Sequence, residues 1–154
     1  MSLFKRFRTG ALVVALLLST SASAQSPLAS ELPTPELEGY SPVSYFTVGE
    51  AQLGKPEFAV RHQDKIFYLT SQAQVDLFKK DPEKYQPRHS VCAFSLAHGL
   101  VKPLDPTSFK IVDDTLLLFH VNDDTNAQFE WNKSELSEKE LLRRADNNLF
   151  LVTF

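Results

Sequence analysis

Cysteine is almost absent from this chain of 154 residues: Cys92 stands alone, so no internal disulfide can form. The only methionine is the initiator, which removes the thioether ligands that favour monovalent copper. Glycine is sparse, with five in all, and no G-x-S-x-G elbow occurs, so the loop machinery of a serine hydrolase is missing. Positive charge is not in excess either. Lys and Arg number 16 against 19 Asp and Glu, for a net charge of −3, and no basic cluster stands out. That balance argues against partners such as nucleic-acid backbones or anionic lipid surfaces. The apolar run from Ala11 to Leu18 is eight residues long, well short of the roughly 20 that cross a bilayer. What is present is 43% hydrophobic and 23% charged residues with twelve Phe, the composition of one ordinary globular domain.

Lys5, Arg6 and Arg8 precede that apolar run, and Ala22-Ser23-Ala24 follows it, with small side chains where a signal peptidase reads. The pattern predicts a signal peptide over 1–24 with cleavage before Gln25, and a periplasmic or secreted address. Removing those three basic residues leaves 13 basic against 19 acidic, or −6, for the mature chain. Residues 25–36 carry Pro27, Pro33 and Pro35 without apolar periodicity and read as an extended leader. The folded domain is expected over 37–154, with no visible internal repeat and no second membrane-spanning candidate.

Within the domain, Phe58 and Val60 alternate with polar residues, His62 to Lys65 can turn, and Ile66 to Leu69 is β-branched and aromatic, which predicts a hairpin. Ser71 with Gln74 can cap a helix whose apolar positions are Val75, Phe78, Pro82 and Tyr85, with Pro82 ending or resetting it near Asp81. A second hairpin is expected from Phe109 to Phe119 around Asp113-Asp114. Ser137 and Glu140 form a capping-box pattern ahead of Leu141, Leu142 and Ala145. The expected class is α+β: a small domain of two β-hairpins packed with three or more short helices.

Three segments together resemble the secreted, single-cysteine branch of the YHS-domain family. They are Leu37-Glu38-Gly39-Tyr40-Ser41-Pro42-Val43-Ser44-Tyr45-Phe46, Asp81-Pro82-Glu83-Lys84-Tyr85-Gln86-Pro87, and Cys92-Ala93, with further matches at Gly99, Asp105-Pro106, Lys110 to Asp113 and Trp131. The resemblance spans roughly 37 to 150 and implies a YHS-like fold. YHS domains attached to metal-transporting and metal-responsive proteins carry cysteines whose thiolates hold soft metal ions. The resemblance places those positions on Ser44, Thr70 and Gln74, none of which supplies a thiolate. The segment before Cys92, Pro87-Arg88-His89-Ser90-Val91, also lacks the glycines of its relatives, and Ser41 replaces their Asp.

Cys92 is then the chemically distinctive residue, with His89 and His98 within six positions of it. Imidazole and thiolate ligands suit a transition-metal ion, copper or zinc, so Cys92, His89 and His98 form the candidate metal set, with His62 or His120 as a further donor. If a helix begins near Cys92, His98 falls about 120° round the axis from it. Two other readings of Cys92 stay open: a reactive thiol with a neighbouring imidazole as base, and a small buried hydrophobe. Asp113-Asp114 and Asp123-Asp124 fit turns or helix starts better than catalytic carboxylates. The expected function is therefore that of a periplasmic or secreted accessory or binding protein whose partner is a metal ion or another protein. A thiol-dependent or redox enzyme and an interaction module without small ligand are the alternatives.

Overall fold

The computed structural model describes residues 34–152, so the expected signal peptide and most of the expected leader lie outside the described residues. The domain opens with a 3-10 turn, Glu36–Gly39, in which Leu37, Glu38 and Gly39 all have positive φ. Such a left-handed run costs energy at Leu37 and Glu38. Burial of the Leu37 side chain against Tyr45, Leu116 and Leu118 holds it in place.

Then come α1 (Ser44–Thr47), β1 (Lys55–His62), β2 (Lys65–Leu69), α2 (Gln72–Lys80) and α3 (Pro82–Tyr85). The β1–β2 hairpin is antiparallel, pairing Val60 with Phe67 and His62 with Lys65. Ser71 caps α2 as the sequence predicts, its hydroxyl accepting from the Gln74 amide at 3.4 Å. Asp81 both ends α2 and caps α3, whose first residue is Pro82, where the missing N–H of proline costs nothing. Val43, Val60, Phe67, Leu69, Val75, Phe78 and Tyr85 close into one core cluster, with the Phe67 and Phe78 rings 4.9 Å apart.

The second half holds α4 (Ala93–Ala97), β3 (Asp105–Val112), β4 (Thr115–Phe119), a two-residue ribbon of β5 (Val121–Asn122) and β6 (Thr125–Asn126), α5 (Ala127–Lys133) and α6 (Glu138–Asn147), followed by a 3-10 turn, Leu149–Val152. The Asp113-Asp114 turn has positive φ at both residues, which suits the right-handed twist of the flanking strands. Ser137 caps α6 through the Glu140 amide at 3.2 Å. A second core forms from Cys92, Ala93, Leu96, Ala97, Val112, Leu117, Phe119, Ala127, Trp131, Leu141 and Ala145.

The class is α+β, built on the two expected hairpins and more than three short helices. Two features go beyond expectation. Asp123-Asp124 forms the turn of a third, minimal hairpin. β1–β2 and β3–β4 also have the same strand lengths and the same register, position for position, shifted by 50 residues, a regularity that the sequence pattern does not announce.

Candidate functional site

Ser44 lies in α1, 26 residues before Thr70, which follows β2, while Gln74 is four residues beyond Thr70 in the first turn of α2. The fold brings them into one buried polar network. Gln74 Oε1 accepts from the Ser41 hydroxyl at 2.6 Å and from the Thr70 amide at 3.1 Å. The Ser44 hydroxyl donates to the Ser41 carbonyl at 2.7 Å and accepts from the Gln52 amide at 3.3 Å. Ser41 and Ser44 are fully buried. The donors are neutral hydroxyl and amide groups already spent on one another, so this set does not fit a soft metal ion.

The metal candidates are placed differently. Cys92 is fully buried and acts as the N-cap of α4: its sulfur accepts from the Ser95 amide at 3.4 Å and the Ser95 hydroxyl at 3.3 Å. His89 lies in the preceding loop with its side chain 1% exposed, and its Nε2 is 3.0 Å from Asp146 Oδ1 of α6. Arg88 grips the same carboxylate with two bonds of 2.8 Å. An ionised carboxylate only accepts, so Nε2–H donates to it and the lone pair falls on Nδ1, which has no partner. Burial pulls the His89 pKa below its ordinary value despite its hydrogen bond to Asp146. The Arg88 guanidinium holds the Asp146 carboxyl below its own ordinary value.

His98 is exposed, its Nδ1 on the Phe94 carbonyl at 2.9 Å and its ring 4.4 Å from that of Phe94. His62 pairs with Glu83 at 3.0 Å, and His120 Nδ1 meets the Pro103 carbonyl at 3.1 Å. The fold does not bring Cys92, His89 and His98 together as one donor set, and among the described residues no group of three or more His, Cys, Asp or Glu is arranged to hold a metal ion. The residues that sequence reading missed are Asp146 and Ser95. Asp146 lies 57 positions from His89, and nothing local marks it as a partner. Ser95 had a readable cue, three residues after a cysteine at a helix start.

Beside this loop lies a cleft of about 210 Å³ lined by Glu36, Leu37, Glu38, Lys65, Phe67, Gln86, Pro87, Ser90 and Leu104. The strained Leu37-Glu38 turn forms one wall, and Lys65 and Glu36 pair across it at 3.4 Å. A second cleft, of about 290 Å³, is lined by Glu83, Lys84, Arg88, Asp114 and Thr115. No family model, curated protein or solved structure matches this chain. Fold and geometry thus define a small α+β domain with a buried polar network, a buried thiol and solvent-facing clefts on the 86–90 loop.

Proposed function

We propose that this chain is a secreted or periplasmic accessory protein of the YHS type that binds a partner non-covalently rather than turning over a substrate. The observation that carries this reading is the convergence of Ser44, Thr70 and Gln74. Three positions that the family resemblance assigns to one metal pocket meet around a single buried oxygen, Gln74 Oε1, and its neighbours. A neutral, self-satisfied network there supports a domain that keeps the architecture and works through its surface. The cleft lined by Phe67, Pro87, Ser90 and Leu104 is one concave face that this surface offers.

The thiol-enzyme alternative draws less support, because a nucleophile must reach its substrate and Cys92 has no exposed surface. A second reading, a copper or zinc ion held through His89 with Cys92, rests on one observation: the carboxylate-oriented His89 with its unpartnered Nδ1, the arrangement that a second-shell carboxylate gives to metal-ligating imidazoles. A photo-crosslinking residue at Ser90, used in cells that make the protein, tests the first reading. Discrete adducts absent from the same residue at Lys139 are expected, and equal labelling from both sites would refute it. Zn(II) and Cu(II) titrations of wild type, His89→Ala and Cys92→Ser test the second. Stoichiometric binding lost in both variants would establish it in place of the first.

A further inference from the structure

We infer that residues 43–80 and 93–133 are two copies of one structural unit, each with its own core and each opening as a separate cooperative body. The hairpins carry the argument. Each joins an eight-residue strand to a five-residue strand. Lys55 pairs with Leu69 and Asp105 with Phe119; Ala59 with Tyr68 and Phe109 with Leu118; His62 with Lys65 and Val112 with Thr115. The register breaks at the same place in both, after the first pair, and proline follows that pair's first residue in both strands, as Pro56 and Pro106. A bulge is a defined backbone device rather than a random defect, so a shared bulge at one register position is a specific coincidence.

The likeness extends beyond the hairpins. Each is preceded by a short helix, α1 or α4, and then by a glycine in the left-handed region, Gly49 at φ 72° and Gly99 at φ 73°. Each is followed by a helix capped by a polar side chain that accepts from the amide three residues on: Ser71 from Gln74 and Asn126 from Phe129. The β5–β6 ribbon is an insertion before the second of these helices. On the hairpins and at the start of the preceding helices, equivalent positions enter the cores: Val43, Phe67 and Leu69 share one cluster and Ala93, Leu117 and Phe119 the other, while the following helices turn different positions inward, Val75 and Phe78 in the first and Ala127 and Trp131 in the second.

Between 39–70 and 89–120 only Gly49/Gly99, Pro56/Pro106 and Asp64/Asp114 are identical pairs. These are turn and bulge residues, which explains why backbone geometry keeps a likeness that sequence reading misses. The units meet in a third buried cluster, where Tyr45 of the first packs with Leu116 and Leu118 of the second; its hydroxyl donates to the Pro106 carbonyl at 2.8 Å and its ring lies 4.8 Å from that of Phe109. The cleft falls on this seam, lined by Lys65 and Phe67 of the first copy, Leu104 beside the second, and the connecting 86–90 loop.

Native-state hydrogen exchange on the full chain tests the inference. Phe78→Leu should lower protection of the β1–β2 ladder by about tenfold more than that of β3–β4, and Trp131→Phe should do the reverse. Should either variant fail to fold, wild-type exchange in low urea decides instead, with the two ladders expected on separate isotherms. Equal losses in both ladders from each variant, or a single common isotherm in the wild type, would overturn it.

Discussion

Removing the acceptor at the centre of the Ser41–Gln74 network should cost far more than removing one of its donors. Gln74 Oε1 takes two hydrogen bonds, from the Ser41 hydroxyl and the Thr70 amide, and Ser41 is fully buried. Gln74→Ala leaves both donors without a partner at about 1–3 kcal/mol each, with some relief from rotation of the hydroxyl, so a loss of about 2–4 kcal/mol is expected. Ser41→Ala removes one donor and leaves Gln74 Oε1 bonded to Thr70, which should cost about 1 kcal/mol. In the Gln74→Ala background, Ser41→Ala should recover about 1 kcal/mol, because it removes a donor that has lost its acceptor. The cycle should therefore show a coupling of about 2 kcal/mol. Urea denaturation of the four proteins measures this directly, provided that the slope of free energy against urea stays constant. Gln74→Ala within about 0.5 kcal/mol of wild type, or additive losses across the cycle, would show that water or a rearranged side chain satisfies the donors and that the network is not closed.

Cys92→Ser should lower stability by about 1–3 kcal/mol, the cost of a hydroxyl in a site shaped for sulfur, and wild-type Cys92 should react with a disulfide reagent only as fast as the domain opens. Rapid labelling at pH 7 in the absence of denaturant would contradict its burial. Gly54→Ala should destabilise by more than about 2 kcal/mol in thermal melts, because its Cβ would overlap the Tyr68 main chain. Gly49→Ala meets no neighbour within 4 Å and pays only for its positive φ, about 1 kcal/mol; equal effects at the two glycines would refute the packing argument. Glu138 is held below its ordinary pKa of 4.5 mainly by Lys110, with the Trp131 indole also donating to it. Its contribution should be full above pH 4.5 and lost as pH falls through the lower folded value. The carboxylate is 42% exposed, so less than about 1 kcal/mol is at stake, and Glu138→Gln should remove that part of the acid dependence seen in Trp131 fluorescence.

Much of the fold was legible because its signals are local. Ser71, Asp81 and Ser137 each cap within three residues, and a cap is a short-range exchange between a side chain and an amide. The β1–β2 and β3–β4 hairpins announce themselves by their apolar runs and by Asp at the turns, although in β1–β2 the left-handed residue is Gln63 rather than Asp64. The β5–β6 ribbon was not legible, since two-residue strands have no periodicity to read. The repeat was hidden for a related reason. The equivalent cores use Phe67 and Leu69 in one copy and Leu117 and Phe119 in the other, and a core asks for hydrophobic volume more than for identity.

The candidate site was less legible because its chemistry is made of long-range pairs. His89 looked like a partner for Cys92 on grounds of proximity along the chain, yet its hydrogen bond goes to Asp146 on α6, while the Cys92 sulfur turns inward to Ser95. Three residues of separation in a loop says little about where two side chains point, whereas the same separation across a helix start fixes a cap. Ser44, Thr70 and Gln74 show the converse. Thr70 and Gln74 are local neighbours at a helix start, but only the family resemblance set Ser44 beside them; the fold joins the three through Gln74 Oε1 and Ser41. On the proposed YHS-type reading, neutral hydrogen-bonding groups stand where related domains carry thiolates, which exchanges dependence on an ion for dependence on hydrogen-bond closure. The stability of this domain should then be indifferent to chelators and sensitive to Gln74. Loss of cooperative unfolding on adding EDTA would reverse that argument.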